Sequence, residues 1–427
     1  MDLAWLTLLA LLAVVLASCT ARVNPGVVAV ALAGAIVALA GPWFEKSPDL
    51  KSLFAGFPGE LFLTLLGVSL LFSQAEVNGT LPRVAAAAQR LCRGNAGLIP
   101  VMFFLLAMGL GTAGPGNIAA AGILAPVAMA AAQRTGVPLF VMALMVGHGA
   151  IASTLSPLTA AGIVTDGILD KMNLAGHEWQ VYAYNAAANT VVALAGYGLF
   201  GGWKLLWRKP IAEPLSNGTT SDEQEPAQHF ERPHWITLAI IAALIAGVLS
   251  GMVNVGLGAF AGAAAIAIFG LADERATFAK IPWGVIVMVC GVSVLTSLLD
   301  KTGGTKRFAA IIDTISTPGS VTGVLAFVTG IVSIYSSTTG VVLPAFLPMV
   351  NDLAQSQPGT SKLALALSVL IGGNLVDLSP LSTIGALCIA GTPEGVARRV
   401  LIRQLLAWGF AMAAVGALLC WLFFRGA

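Results

Sequence analysis

The chain has 427 residues, of which 57% are hydrophobic and only 10% charged, and its mean hydropathy is +0.88. Soluble domains carry about 25% charged residues, so the composition excludes a soluble globular protein and describes one that crosses a membrane repeatedly. A formal net charge of +2 says little about partners, no nucleic acid is expected, and 48 glycines suit helices that pack closely in lipid.

Residues 3–18 open the chain as an apolar run. The run ends in Leu16-Ala17-Ser18-Cys19, like the end of a lipoprotein signal. A signal peptide begins with a positive segment, and Met1-Asp2-Leu3-Ala4-Trp5 contains no Lys or Arg. A first transmembrane helix is therefore expected. Further runs of span length occupy 26–44, 60–76, 97–113, 116–134, 138–168 and 178–206. The stretch 208–234 is rich in Pro, Ser, Gly and acidic residues, cannot lie in hydrocarbon, and reads as a cytoplasmic linker. Apolar runs then resume at 235–251, 253–272, 282–299, 318–335, 338–353, 361–391 and 399–424. Residues 80–93, with Arg83, Arg90 and Arg93, and residues 303–316, with Lys306 and Arg307, read as amphipathic helices in the interface. The five cysteines are scattered without a CxxC or Cys/His pair, so neither a metal centre nor a disulfide framework is indicated.

The two halves repeat each other. Gly67-Val68-Ser69 recurs as Gly291-Val292-Ser293, Pro58 as Pro282, LSPLT at 155–159 as LSPLS at 378–382, and GPGNIAAAGILAP, ending at Pro126, as SSTTGVVLPAFLP, ending at Pro348. The offsets are 224, 224, 223 and 222, so residues 1–207 and 235–427 form two repeats around the linker. Asn78-Gly79-Thr80 is formally a glycosylation sequon, but its partner is Thr302-Gly303-Gly304, which favours a glycine turn. Duplicated membrane halves with broken segments in matching places are the mark of a secondary transporter.

Two pairs of runs are joined by very short tips: 97–134 through Gly111–Asn117, and 318–353 through Tyr335–Thr339. Read as re-entrant hairpins, they add no net crossing. Each half then has five spans plus one hairpin, and an odd number of spans inverts the second half. The expected fold is all-α, with ten spans and two hairpins. Irregular backbone at membrane depth is tolerated only inside protein or along a watery cavity, so the tips should meet inside. With both termini outside, 14 of the 22 Lys and Arg face the cytoplasm, as the positive-inside rule favours.

A small anion in a membrane needs charge compensation. Few cations lie at mid-membrane depth here, so helix N-termini must supply it through free N–H groups. Four breaks offer such termini. The tips carry Gly116 and Asn117, and Ser336, Ser337, Thr338 and Thr339. The breaks within spans carry Ser156, Pro157 and Thr159, and Ser379, Pro380 and Ser382. Proline stops the preceding helix and is expected to leave carbonyls unpaired. Such carbonyls and hydroxyls are hard ligands, so Asn117, Ser156, Thr159, Thr338, Asp377, Ser379 and Ser382 are the candidate Na⁺ ligands. A hydroxyl that bonds back to its own helix is the bland alternative at each position. Asp377, His148 and Asp166 are ionisable groups in or near spans and are functional candidates for that reason. No HExxH, GxSxG or P-loop is present. No enzyme activity and no resident cofactor are expected, and uphill transport must draw on an ion gradient, Na⁺ first and H⁺ second.

Three runs resemble a known family. FPGELFLTLLGVSLLFSQAEVNGTL at 57–81, GPGNIAAAGILAPVAMAAA at 114–132 and SPLTAAGIV at 156–164 are similar to the N-terminal region of the dicarboxylate carrier MatC family, over roughly residues 25–206. SSTTGVVLP and LSPLSTIGAL look like the matching half of the wider ion transporter superfamily, which includes the divalent anion:sodium symporters. The resemblance implies uptake of malonate or a related dicarboxylate across the bacterial inner membrane, elevator motion and a homodimer. In those symporters a Ser-Asn-Thr motif at each tip binds a substrate carboxylate and frames a sodium site. Here Ser337-Thr338-Thr339 lacks the Asn, and Pro115-Gly116-Asn117 keeps only the amide. Proton coupling, exchange or export of another anion are the alternatives, and a membrane anion sensor is the rival from another class.

Overall fold

The computed structural model describes residues 2–19, 23–40, 49–89, 95–207, 230–250, 252–317, 319–335, 338–357, 359–392 and 396–425. These residues are helical without a strand among them. The first half contains α1 (Leu3–Cys19), α2 (Pro25–Ala40), α3 (Leu50–Phe54), α4 (Gly59–Val77), α5 (Thr80–Gln89), α6 (Leu98–Thr112), α7 (Gly116–Thr135), α8 (Leu139–Ala152), α9 (Ala160–Lys171), α10 (Glu178–Leu199) and α11 (Gly202–Leu205). The second half contains α12 (Arg232–Leu249), α13 (Val255–Ile268), α14 (Glu274–Lys280), α15 (Trp283–Lys301), α16 (Gly304–Ile315) and α17 (Val321–Tyr335). A π-helical turn (Thr338–Val342), α18 (Leu343–Phe346), a 3-10 turn (Leu347–Met349) and α19 (Val350–Ser356) follow, then α20 (Lys362–Leu375), α21 (Thr383–Ala390) and α22 (Val396–Phe424). Most of the expected linker, and Ser336, Ser337, Arg90 and Arg93, lie outside the described residues.

The helices run in the same order in both halves. α4 and α15 each begin after a proline, Pro58 or Pro282. Each is followed by a left-handed glycine, Gly79 at φ 80° and Gly303 at φ 79°, before an amphipathic helix, α5 or α16. Glycine takes this conformation without the Cβ penalty, and the turn swings α16 away from α15 by 82°. This is the glycine turn expected at 78–80 and 302–304.

Among the described residues, Gly116–Gln133 and Ala397–Phe424 are long and apolar enough to cross a bilayer alone. The bent pair α15–α16 passes the same test together, and nine further apolar helices run 10–17 residues. The expected spans at 138–168 and 361–391 are each split, into α8 and α9 and into α20 and α21.

Packing interleaves the halves. α4 lies against α13, and α15 lies against α2. α6 and α7 pack on one another and on α8, while α17 packs on α20 and α22. Every residue from Phe140 to Ala152 in α8, and from Ala364 to Leu375 in α20, is buried. Two further contacts position the site: α21 lies against α7, and α9 against α18. Each post-break helix thus meets the second limb of the other half's paired segment.

Candidate functional site

The two breaks are built alike from the same residue types. After α8 the chain turns through Ser153–Thr159, and Thr159 caps α9, its hydroxyl accepting the Gly162 N–H at 3.1 Å. After α20 it turns through Val376–Ser382, and Ser382 caps α21, its hydroxyl accepting the Gly385 N–H at 3.5 Å. The Ser156 hydroxyl donates to the Thr112 carbonyl (2.9 Å), and the Ser379 hydroxyl donates to the Ile334 carbonyl (3.2 Å). Thr112 and Ile334 sit at the ends of α6 and α17, so each serine ties a break to a tip. Gly162 and Gly385 are required by close approach. A Cβ at either would run into the carbonyl oxygen of Ser156 or Ser379.

One expectation is corrected. The carbonyls freed by Pro157 and Pro380 are not left unpaired. The Ser153 carbonyl accepts the Ser156 N–H, and the Val376 carbonyl accepts the Ser379 N–H at 2.9 Å. The Thr159 hydroxyl donates to the carbonyls of Thr154 (2.7 Å) and Ser156 (2.8 Å). Ser382 does the same for Asp377 and Ser379. The physical reason is that a buried carbonyl without a partner is costly, and the capping hydroxyl that follows each proline is within reach. These groups keep spare lone pairs, but their first role is to hold the break.

Asp377 is buried among hydroxyls. Its Oδ1 accepts from Thr338 and from Ser333 (3.3 Å), and Thr338 also lies 3.1 Å from the Gly373 carbonyl. One turn earlier on α20, Asn374 is fully buried, and neither its Oδ1 nor its Nδ2 has a hydrogen-bond partner. A carboxylate, two hydroxyls and a carbonyl are hard oxygen donors of the kind a small cation takes.

A cavity of about 280 Å³ lies where the parts converge. It is lined by Gly116 and Asn117 from the first tip, Thr339 from the second, Thr159 from the first break and Thr383 from the second. Of the sequence candidates, Gly116, Asn117, Thr159 and Thr339 reach this cavity. Ser156, Pro157, Ser379, Pro380, Ser382, Thr338 and Asp377 are not among the described residues that line it. Ser69, Ser73, Glu76, Lys280 and Thr383 also line the cavity and were not among the candidates. Ser69 belongs to the repeated Gly-Val-Ser, and a repeat marks duplication without telling which side chain faces a cavity.

His148 is fully buried, and both ring nitrogens are bonded. The Trp408 indole N–H donates to Nε2 at 2.9 Å, so Nδ1 carries the proton and donates to Asn189 Oδ1 at 2.9 Å. Asn189 bonds Asn185, and Asn185 Nδ2 donates to the carbonyls of Ile151 and Ala152 at the end of α8. The chain of bonds locks His148 as a neutral anchor between α22 and the first break. Asp166 is half-buried on α9 and does not line the cavity.

Residues 1–154 match the family model of the dicarboxylate carrier protein MatC N-terminus. The resemblance read from the sequence therefore holds, with a shift in extent: the match begins at residue 1 and ends before SPLTAAGIV. No curated protein matches the sequence. By fold, the chain is similar to the YdaH transporter of Alcanivorax borkumensis, with TM-score 0.56 and 16% identity over 94% of this chain and 98% of that one. It is also similar to MtrF of Neisseria gonorrhoeae, from a class of antimetabolite efflux pumps, with TM-score 0.55 and 16% identity over 88% and 83%. The MatC family and these neighbours are transporters, not enzymes.

Proposed function

We propose that this membrane protein is a secondary active carrier of a small, malonate-like dicarboxylate, coupled to Na⁺. The carrying observation is the one cavity shared by both tips and both breaks, through Asn117, Thr159, Thr339 and Thr383. The starts of α7, α9 and α21 all contribute lining residues. Their first N–H groups lack intrahelical partners and carry partial positive charge, which suits a carboxylate at each end of a short diacid. The Thr339 hydroxyl and the Asn117 amide supply further polar contacts. Bound Na⁺ would supply charge compensation, held by Asp377, Thr338, Ser333, the Gly373 carbonyl and Asn374. Thr338 and Thr339 are adjacent, so one turn faces both the cation group and the anion cavity.

In this reading the two repeats are inverted, with ten spans and two re-entrant hairpins, and both termini lie outside a bacterial inner membrane. The hairpins and post-break helices carry the site as an elevator within a homodimer. The test is uptake of radiolabelled malonate into proteoliposomes with and without an inward Na⁺ gradient. Na⁺-dependent accumulation is expected, and no uptake with either Na⁺ or a proton gradient would refute the reading. A proton-coupled version has one specific support, the buried Asp377 carboxylate among hydroxyls that can serve either charge state. Uptake driven by a proton gradient alone, and lost in Asp377→Asn, would favour it.

A further inference from the structure

A second cavity, of about 600 Å³, adjoins the central one. Glu76, Gly122, Ile123 and Lys280 line both spaces. Among the described lining residues Lys280 is the one cation and Glu76 the one acid. The Lys280 ammonium donates to Glu76 Oε1 at 2.8 Å, with side-chain exposures of 55% and 26%. Resting on the dicarboxylate reading above, we infer that Lys280 is an anion-receiving residue at the mouth of the site. Glu76 is its resident counter-ion, displaced when a substrate carboxylate arrives.

Three observations carry this. First, the pair does little for the fold. Exposed ion pairs contribute about 0–1 kcal/mol, and Glu76 stands in the last turn of α4, where the helix dipole disfavours a carboxylate. Such a pair is cheap to exchange.

Second, the repeat shows where the lysine was needed. Phe278-Ala279-Lys280-Ile281-Pro282 answers Phe54-Ala55-Gly56-Phe57-Pro58, so Gly56 stands in the place of Lys280. A Cβ on Gly56 would lie 3.0 Å from the Ser297 side chain, in a corner already filled. Ser297 answers Ser73, which faces the cavity. Glu76 answers Asp300, and Asp300 Oδ1 is met locally by the Thr305 hydroxyl at 3.3 Å. At this matched position the cation stands at the open corner and a glycine at the filled one.

Third, Lys280 lines both spaces, so an anion moving from the second cavity toward the tips would meet it on the way. In the orientation proposed above this is the cytoplasmic mouth.

The test is equilibrium binding of radiolabelled malonate to the purified full-length protein in detergent, at fixed Na⁺. Lys280→Gln is expected to raise the Kd about tenfold, and Glu76→Gln to lower it severalfold by freeing Lys280. The double variant should behave like Lys280→Gln, because Glu76 acts only through Lys280. Raising ionic strength with choline chloride should shrink these differences. A purely structural bridge predicts the opposite pattern: both single variants weaken binding and lower the Tm, and the swap Glu76→Lys with Lys280→Glu restores both. That result, or an unchanged Kd in Lys280→Gln beside a wild type that binds malonate, overturns the inference. A wild type that does not bind malonate counts against the dicarboxylate reading itself, and the inference falls with it.

Discussion

Thr159→Val tests whether the break is a built part of the site. Valine keeps the volume and the branched shape, so no cavity forms, and only the hydroxyl is lost. That hydroxyl caps α9 through Gly162 N–H and is shared between the carbonyls of Thr154 and Ser156. Losing a threonine cap costs about 1 kcal/mol, and leaving a buried carbonyl short of a donor costs about 1–3 kcal/mol. Ser156 keeps its bond from the Thr159 N–H, so the penalty sits near the low end of the sum, about 2 kcal/mol. That is roughly a thirtyfold loss in the equilibrium favouring the intact break, at 1.4 kcal/mol per factor of ten. The chain as a whole still folds, but the binding-competent fraction falls and the apparent affinity falls with it. Malonate uptake in proteoliposomes and thermal unfolding in detergent are the assays. Thr159→Ser is the control, since Ser382 performs the same task in the other half. The expected order is wild type close to Thr159→Ser, with Thr159→Val much weaker in uptake and a few degrees lower in Tm. If Thr159→Val matches Thr159→Ser in both assays, the capping account of the break is wrong.

Three further perturbations separate the parts. Asp377→Asn keeps the shape but removes the one carboxylate of its oxygen cluster, so Na⁺ stimulation of uptake should disappear. Retained Na⁺ dependence would place the cation elsewhere. Trp408→Phe leaves the buried Nε2 of His148 without its donor, and the Tm should fall by the equivalent of about 1–3 kcal/mol. Adding His148→Leu should cost less in that background than alone, as measured by thermal unfolding of the four proteins. Gly385→Ala drives a methyl into the Ser379 carbonyl. Overpacking of this kind costs about 1–3 kcal/mol, and uptake should fall more than it does for Gly167→Ala, where nothing lies within 4 Å.

What the sequence disclosed was whatever the repeat made visible. The glycine joints at Gly79 and Gly303, the paired runs at 97–134, and the splits at Pro157 and Pro380 were all readable, because each needs a residue type with a special backbone demand. Side-chain direction was not readable. Ser156 and Ser379 sit at the breaks yet point to the ends of α6 and α17, while Ser69 and Ser73 lie in an ordinary apolar helix yet face the cavity. Nothing in one strand of letters says which face of α4 meets a tip more than forty residues later. His148 had the composition of a titrating group, and only the positions of Trp408 and Asn189, far off in sequence, show both nitrogens occupied.

The repeat also shows that duplicated scaffold and duplicated chemistry are separate matters. Under the offsets that align the tips and breaks, Ser333, Thr338 and Asp377 answer Gly111, Gly116 and Thr154. In the second half the three side chains bond one another. In the first half two of the three positions have no side chain. The third, Thr154, is buried with its Oγ1 lacking any hydrogen-bond partner. The capping residues Thr159 and Ser382, the tie residues Ser156 and Ser379, and the close-approach glycines Gly162 and Gly385 remain matched throughout. What repeats is therefore the machinery that makes a break and holds it against a tip. What differs at these three positions is charge: a buried carboxylate in the second half and none at the matching place in the first. In the reading proposed above, a dianion held in the cavity has this buried carboxylate near the second tip, which repels it unless a cation or proton is present. On that proposal, the asymmetry would tie anion binding to the occupancy of the Asp377 group, as coupled transport requires.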